Sequence, residues 1–188
     1  MAILVLILML LTTPAHAIQM IGFGGGACTC TADQTQTTEN SQYFTIDAAT
    51  SHGQSFKVSK NGSICSLTVR TYDQGTGTPT IQCRVGENSN LTTGYLGSTL
   101  THVDSSDQWT ETDIEMTYPA ANRPAVSTGT TYYWGCTLTS AYASAMKLVY
   151  SSSNLYADGN RRYGSGTTWN MGTNVPEQDM YFIVKMCE

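Results

Sequence analysis

The stretch GTTYYWGCTLTS, residues 129–140, is the longest clean two-residue alternation in the chain. Tyr132, Trp134, Cys136 and Leu138 fall on one face, and Thr131, Tyr133, Gly135, Thr137 and Thr139 on the other. Successive side chains of a strand point to opposite sides, so this spacing predicts a half-buried β-strand whose large apolar face looks into a core. The same alternation recurs at Phe56 and Val58, at Cys65, Leu67 and Val69, and at Ile81, Cys83 and Val85. It returns at Ile114, Met116 and Tyr118, at Met146, Leu148 and Tyr150, and at Met180, Phe182, Val184 and Met186. With a turn and short strand over residues 94–100, these runs predict about eight strands sharing one core, the number expected of a two-sheet antiparallel sandwich. Asn61-Gly62 is a two-residue pair of the type that closes hairpins. Gly and Pro break the pattern over residues 74–79, Pro119 and Pro124 bound a loop, and residues 151–176 form a long irregular stretch.

Composition agrees with an all-β chain. The 188 residues include 17 glycines and 11 tyrosines but only 12% charged residues, which suits short strands and tight turns and is poor material for helices. A hydrophobic content of 40% is enough for one compact domain. The net charge is −5, and the 9 basic residues are scattered singly apart from Arg161-Arg162. A nucleic-acid backbone needs a basic stripe, so no nucleic-acid partner is expected, and an anionic membrane surface is disfavoured for the same reason.

The apolar run over residues 2–11, followed by Ala15-His16-Ala17, reads as a secretory signal peptide over 1–17 with the mature chain starting at Ile18. A short non-spanning anchor is the alternative, since a bilayer span needs about 20 apolar residues. Gly25-Gly26-Ala27 ahead of Cys28 makes that cysteine a weak candidate for lipid modification. Residues 18–50, Gly- and Thr-rich with no apolar periodicity, read as a flexible arm whose only anchors, Tyr43, Phe44 and Ile46, are expected to begin the folded part. Such an arm is either a solvated linker or a segment that docks on a neighbouring subunit. The sandwich domain is expected over 51–188.

The order of parts carries a resemblance. A hairpin into a strand, a Gly/Pro loop, a turn at Leu96-Gly97-Ser98, Trp109 ahead of an alternating strand, Gly129-Thr130-Thr131-Tyr132-Tyr133-Trp134, a Tyr/Gly/Trp loop and a last hydrophobic strand follow one another. Over residues 54–187 this resembles the jelly-roll domains similar to carbohydrate-binding modules of secreted bacterial proteins and to phage fibre or surface-appendage proteins. The resemblance implies a β-sandwich that binds or assembles without an activity of its own, and it carries over no binding residue.

Six cysteines without a C-x-x-C read as disulfides of an oxidising compartment. Cys83 and Cys136 lie on the apolar faces of their strands, which predicts a bridge across the core. Cys65 opens an early strand and Cys187 ends the last, which predicts a second bridge, although Cys187 is off the face of Phe182, Val184 and Met186. Cys28 and Cys30 are left as a local pair or as links to another chain.

Catalytic signals are poor: there is no G-x-S-x-G elbow, and His52 and His102 have no obvious nucleophile beside them. The chain is therefore read as non-enzymatic and without a cofactor. Asp104, Asp107 and Glu111, with Asp113 and Glu115 after them, are either the solvated face of a strand or ligands of a structural Ca²⁺ ion. Aromatics and short polar side chains concentrate in the irregular stretch. Tyr156, Tyr163 and Trp169 lie there among Asp158, Asn160 and Arg161, a mixture that suits a sugar ring, which stacks its C–H face on an aromatic and hydrogen-bonds its hydroxyls. Alternatively, Trp169 and one tyrosine plug the end of the sandwich. The expected function is a secreted, non-catalytic binding module for a glycan or other cell-surface ligand. The rival is a structural subunit of an appendage, extracellular layer or virion decoration, with copies joined through the N-terminal arm.

Overall fold

A computed structural model describes residues 28–74, 77–104, 109–139, 146–166 and 168–187. The expected signal peptide, the first part of the arm and Asp107 lie outside these residues. In chain order the strands are β1 (Cys30–Gln36), β2 (Gln42–Thr45), β3 (Thr50–Lys57), β4 (Gly62–Asp73), β5 (Thr80–Gly86), β6 (Tyr95–Val103) and β7 (Glu111–Thr117). They continue as β8 (Ala125–Val126), β9 (Thr131–Leu138), β10 (Met146–Ser151), β11 (Arg161–Ser165), β12 (Asn170–Val175), β13 (Asp179–Met180) and β14 (Phe182–Cys187). They form two antiparallel sheets, an all-β sandwich.

The first sheet is built on β4. One edge of β4 pairs with β7 and β8, and the other with β14 and then β10. β1 flanks β14, β2 flanks β10, and β13 pairs with β10 before the chain enters β14. The second sheet has the order β12-β11-β3-β9-β5-β6. Most connections cross from one sheet to the other. The pair Asn61-Gly62 is one of these crossings: it joins β3 of the second sheet to β4 of the first, so it closes no hairpin. Alternation records only which side chains face inward, and a hairpin and a crossing satisfy that requirement equally. The Asn61 carboxamide oxygen accepts from Thr128 N at 2.8 Å, which ties two connections together.

The arm expected over 18–50 is, from Cys28 onward, part of the sandwich. β1 is polar in sequence and lies on the outer edge of β14, and β2, whose Tyr43 and Phe44 are too short a run to show a period, lies on the outer edge of β10. A sheet edge requires main-chain hydrogen bonds and little apolar surface, so hydrophobic periodicity gives no sign of such strands.

Inside, the alternation holds. Tyr132, Trp134, Cys136 and Leu138 of β9, Cys83 of β5, and Phe182 and Val184 of β14 are buried in one cluster. Phe182 of the first sheet meets Trp134 of the second at a ring separation of 5.9 Å and Phe56 at 6.1 Å, in tilted arrangements that favour aromatic pairs. β4 departs from the expected alternation. A bulge opposite Lys185 and Met186 leaves Cys65 out of the ladder and puts Ile64 in register with Met186.

That bulge bears on the cysteines. Cys83 and Cys136 are bridged as expected, but they are direct partners on adjacent strands of one sheet, so the bond does not span the core. The expected Cys65–Cys187 bridge is replaced by Cys28–Cys187 and Cys30–Cys65. Alternation keeps Cys187 off the core face, where Cys28 meets it, while the bulged Cys65 is buried and bonded to Cys30. No free cysteine remains among the described residues.

Trp134→Ala is expected to destabilise the fold by about 3 to 5 kcal/mol, the range for emptying a large aromatic site. Urea unfolding monitored by far-UV circular dichroism measures this, and a loss below about 1 kcal/mol would contradict the central position assigned to Trp134.

Candidate functional site

Residues 151–176 are more ordered than their sequence implies. They carry the hairpin of β11 and β12, which extends the second sheet beyond β3. Six residues of this stretch are candidate ligand contacts, and the fold separates them. Tyr156 belongs to the core: its ring stands edge-on to Phe182 at 5.2 Å, and its hydroxyl donates to Gln34 Oε1 at 2.8 Å. Burial pushes its hydroxyl pKa well above the usual tyrosine value. Asp158 is exposed. Asn160 is fixed through its main chain, its carbonyl accepting from Ser55 N and its N–H donating to Ser55 Oγ, both at 2.9 Å.

Arg161 and Tyr163 stay together, two residues apart on one face of β11. Tyr163 is 39% exposed, whereas Arg161 is only 5% exposed. The Arg161 guanidinium lies 3.4 Å from the centroid of the Phe44 ring and 5.1 Å from that of Tyr163. One terminal nitrogen donates to Gln178 Oε1 at 2.6 Å and the other lies 3.2 Å from His52 Nδ1. Nε is buried without an acceptor, and among the described residues no carboxylate forms an ion pair with this group. Burial lowers the guanidinium pKa to about 10, so it remains charged at neutral pH. A charge out of water normally has a counter-charge. Here ring faces and neutral acceptors surround it instead, and cation–π contact offsets part of the desolvation.

His52, Phe44 and Gln178 complete this corner and lie outside the 151–176 loop on which the sequence reading centres. They come from β3, β2 and the turn before β13, so only the sheet pairings bring them to Arg161. Burial, and then the neighbouring guanidinium, lower the His52 pKa to about 4. The neutral ring stacks on Phe44 at 5.0 Å and faces Tyr163 at 6.0 Å.

Trp169 does not offer a stacking plane: it is 6% exposed and has a positive φ of 49°. It lies on the outer face of the second sheet with Leu91 and Met171. The 87–94 loop folds over it, with Leu91 N donating to Trp169 O and Met171 N to Ser89 O. Gly53 and Gly135 make room for the Met171 side chain, since a Cβ at either position would collide with it. Arg84 is inserted between Tyr95 and Trp169, 4.5 Å and 4.2 Å from their ring centroids. Trp169 is thus the plug of a small second core.

Glu111, Asp113 and Glu115 of the acidic strip face cations of the protein itself. Asp113 receives two hydrogen bonds from Arg70, at 2.6 and 3.1 Å, which hold its pKa below the usual carboxylate value. Glu115 accepts from Lys185 at 2.8 Å and from Ser66 at 2.6 Å. Glu111 accepts from the Tyr43 hydroxyl at 2.8 Å and lies 3.9 Å from Arg70. Asp104 is buried at the end of β6. Among the described residues, no group of three acidic or histidine side chains converges as Ca²⁺ ligands would, and the one close set consists of cysteines.

Compared with models of known protein families and with curated proteins, the sequence matches neither significantly.

The His52 corner sets a pH dependence. The folded state holds His52 neutral with a pKa near 4, whereas the unfolded ring takes up a proton near pH 6.5. Its contribution is therefore fully present above about pH 6.5 and is lost as the pH falls towards 4. Between pH 7 and pH 5 the wild type is expected to lose about 2 kcal/mol from this group. Urea midpoints at the two pH values for wild type and His52→Gln check this; an equal loss in both proteins would assign the effect elsewhere.

Proposed function

We propose that the chain is an extracellular, non-catalytic binding module for glycan, with its binding surface at the Tyr163–Arg161 corner of the second sheet. The observation that carries this reading is a charged guanidinium whose partners among the described residues are all neutral, set beside a tyrosine ring that is 39% exposed. A sugar stacked on Tyr163 would lie near that charge. Screening is weak in so buried a setting, so an acidic substituent gains from the guanidinium even without touching it. A glycan carrying a carboxylate or sulfate is the best match. Three disulfides fit an oxidising compartment, and no described helix is long and apolar enough to cross a membrane.

A second reading, the structural subunit, has one observation in its favour. β6 and β12 end the second sheet, and neither contains a charged residue or a proline of the kind that discourages edge-to-edge pairing. The form of this reading that joins copies through Cys28 and Cys30 has less support, because both are bonded within the chain.

A glycan array probed with wild type, Tyr163→Ala and Arg161→Gln tests the proposal. Tyr163→Ala is expected to weaken binding about tenfold or more, the equivalent of about 1.4 kcal/mol. Arg161→Gln is expected to lower the preference for acidic over neutral glycans. Trp169→Ala acts on stability because that ring is buried. Absence of any glycan binding by the wild type, together with a concentration-dependent oligomer in size-exclusion chromatography, would transfer the assignment to the structural subunit.

A further inference from the structure

Four of the six cysteines meet where β1, β4 and β14 come together. The Cys28–Cys187 and Cys30–Cys65 bonds are neighbours, and the sulfurs of Cys28, Cys65 and Cys187 all lie within 4.8 Å of one another. Cys65 is buried, while Cys28, Cys30 and Cys187 are partly exposed. Arg123, just after the short 3-10 turn Ala120–Asn122, points its guanidinium at this cluster. One terminal nitrogen contacts Cys28 Sγ and lies 3.6 Å from Cys187 Sγ, and Nε is buried with no acceptor. The third bond, Cys83–Cys136, is fully buried, and among the described residues no cation is paired with it.

A disulfide opens more readily when its departing sulfur is stabilised as a thiolate, and a neighbouring guanidinium provides that stabilisation. We infer that the Cys28–Cys187 bond, with Arg123 and Cys65 beside it, is a thiol–disulfide exchange site that reacts with a low-molecular-weight thiol. The thiol loses its proton to solvent, and its sulfur attacks Cys187 Sγ. A mixed disulfide forms at Cys187, the bond to Cys28 breaks, and the electron pair remains on Cys28 beside Arg123. The Cys28 thiolate then attacks Cys65 Sγ, which forms Cys28–Cys65 and expels Cys30 as a thiolate that takes a proton from water. One thiol is consumed and one appears at Cys30, so the sequence needs no oxidant or reductant. It transfers reactivity from the C-terminal strand to the edge strand β1, and it does not depend on the glycan reading.

The test treats the full chain with graded reduced glutathione, quenches with N-ethylmaleimide and maps the bridges by peptide mass spectrometry. The expected products are a glutathione adduct on Cys187, a new Cys28–Cys65 bridge and alkylated Cys30, with Cys83–Cys136 intact. Arg123→Gln is expected to slow adduct formation about tenfold, and Arg123→Lys, which keeps the charge, to restore most of the rate. Opening of Cys83–Cys136 at the same glutathione concentration would overturn the inference. So would an adduct that leaves Cys30–Cys65 in place, or an Arg123→Gln rate equal to that of the wild type; the wild-type map decides the pairing even if that variant fails to fold.

Discussion

The hydrogen-bonding demand of β4 organises the molecule. Its 12 residues are buried or half-buried, and a strand in that setting needs partners for its main-chain groups on both edges. β7 and β8 supply one edge, β14 and β10 the other. That arrangement fixes where the last strand must lie, and with it the inward direction of Phe182, Val184 and Met186. The edges then left open on β14 and β10 are covered by β1 and β2, which accounts for a polar N-terminal segment becoming part of the sheet. The covalent bonds follow from the same placement. Cys28 and Cys30 precede or begin β1, and they bond to the end of β14 and the bulge of β4.

The two faces of the second sheet carry two separate groups of aromatic and basic side chains. On its outer face, Trp169, Leu91 and Met171 form a closed cluster over small residues, with Arg84 stacked between Tyr95 and Trp169. At the other corner, Arg161 is surrounded by rings and neutral acceptors, with Tyr163 at its rim. Burial makes the first arrangement a structural plug. In the second, burial and the lack of a paired carboxylate among the described residues leave a positive charge whose field is poorly screened, and that distinguishes this corner from the Arg70 site. Arg70 sits beside Glu39, Glu111 and Asp113, and its charge is more than balanced.

The alternation over residues 129–140 and its recurrences were sufficient, with the composition, to establish an all-β chain and the main core positions, because inward-facing periodicity is a local property. The sequence also identified Cys83 and Cys136 as partners, since both share the apolar faces of regular strands. From residue type alone it offered Tyr156, Asp158, Asn160, Arg161, Tyr163 and Trp169 as candidate contacts, of which the fold keeps Arg161 and Tyr163 side by side and buries Tyr156 and Trp169. Other features depended on pairings that no local pattern encodes. The crossing at Asn61-Gly62 has the same signature as a hairpin, and β1, a polar edge strand, leaves no periodic trace. The bulge that takes Cys65 out of register arises only against β14, so the true bridges of Cys65 and Cys187 follow from tertiary contact. Burial of Trp169 depends on a loop nearly eighty positions earlier folding over it, and the approach of His52, Phe44 and Gln178 to Arg161 depends on three separate strand pairings. The sequence determined which side chains turn inward; the tertiary structure decided which inward or edge positions meet, because that choice rests on main-chain hydrogen bonds that every residue except proline offers alike.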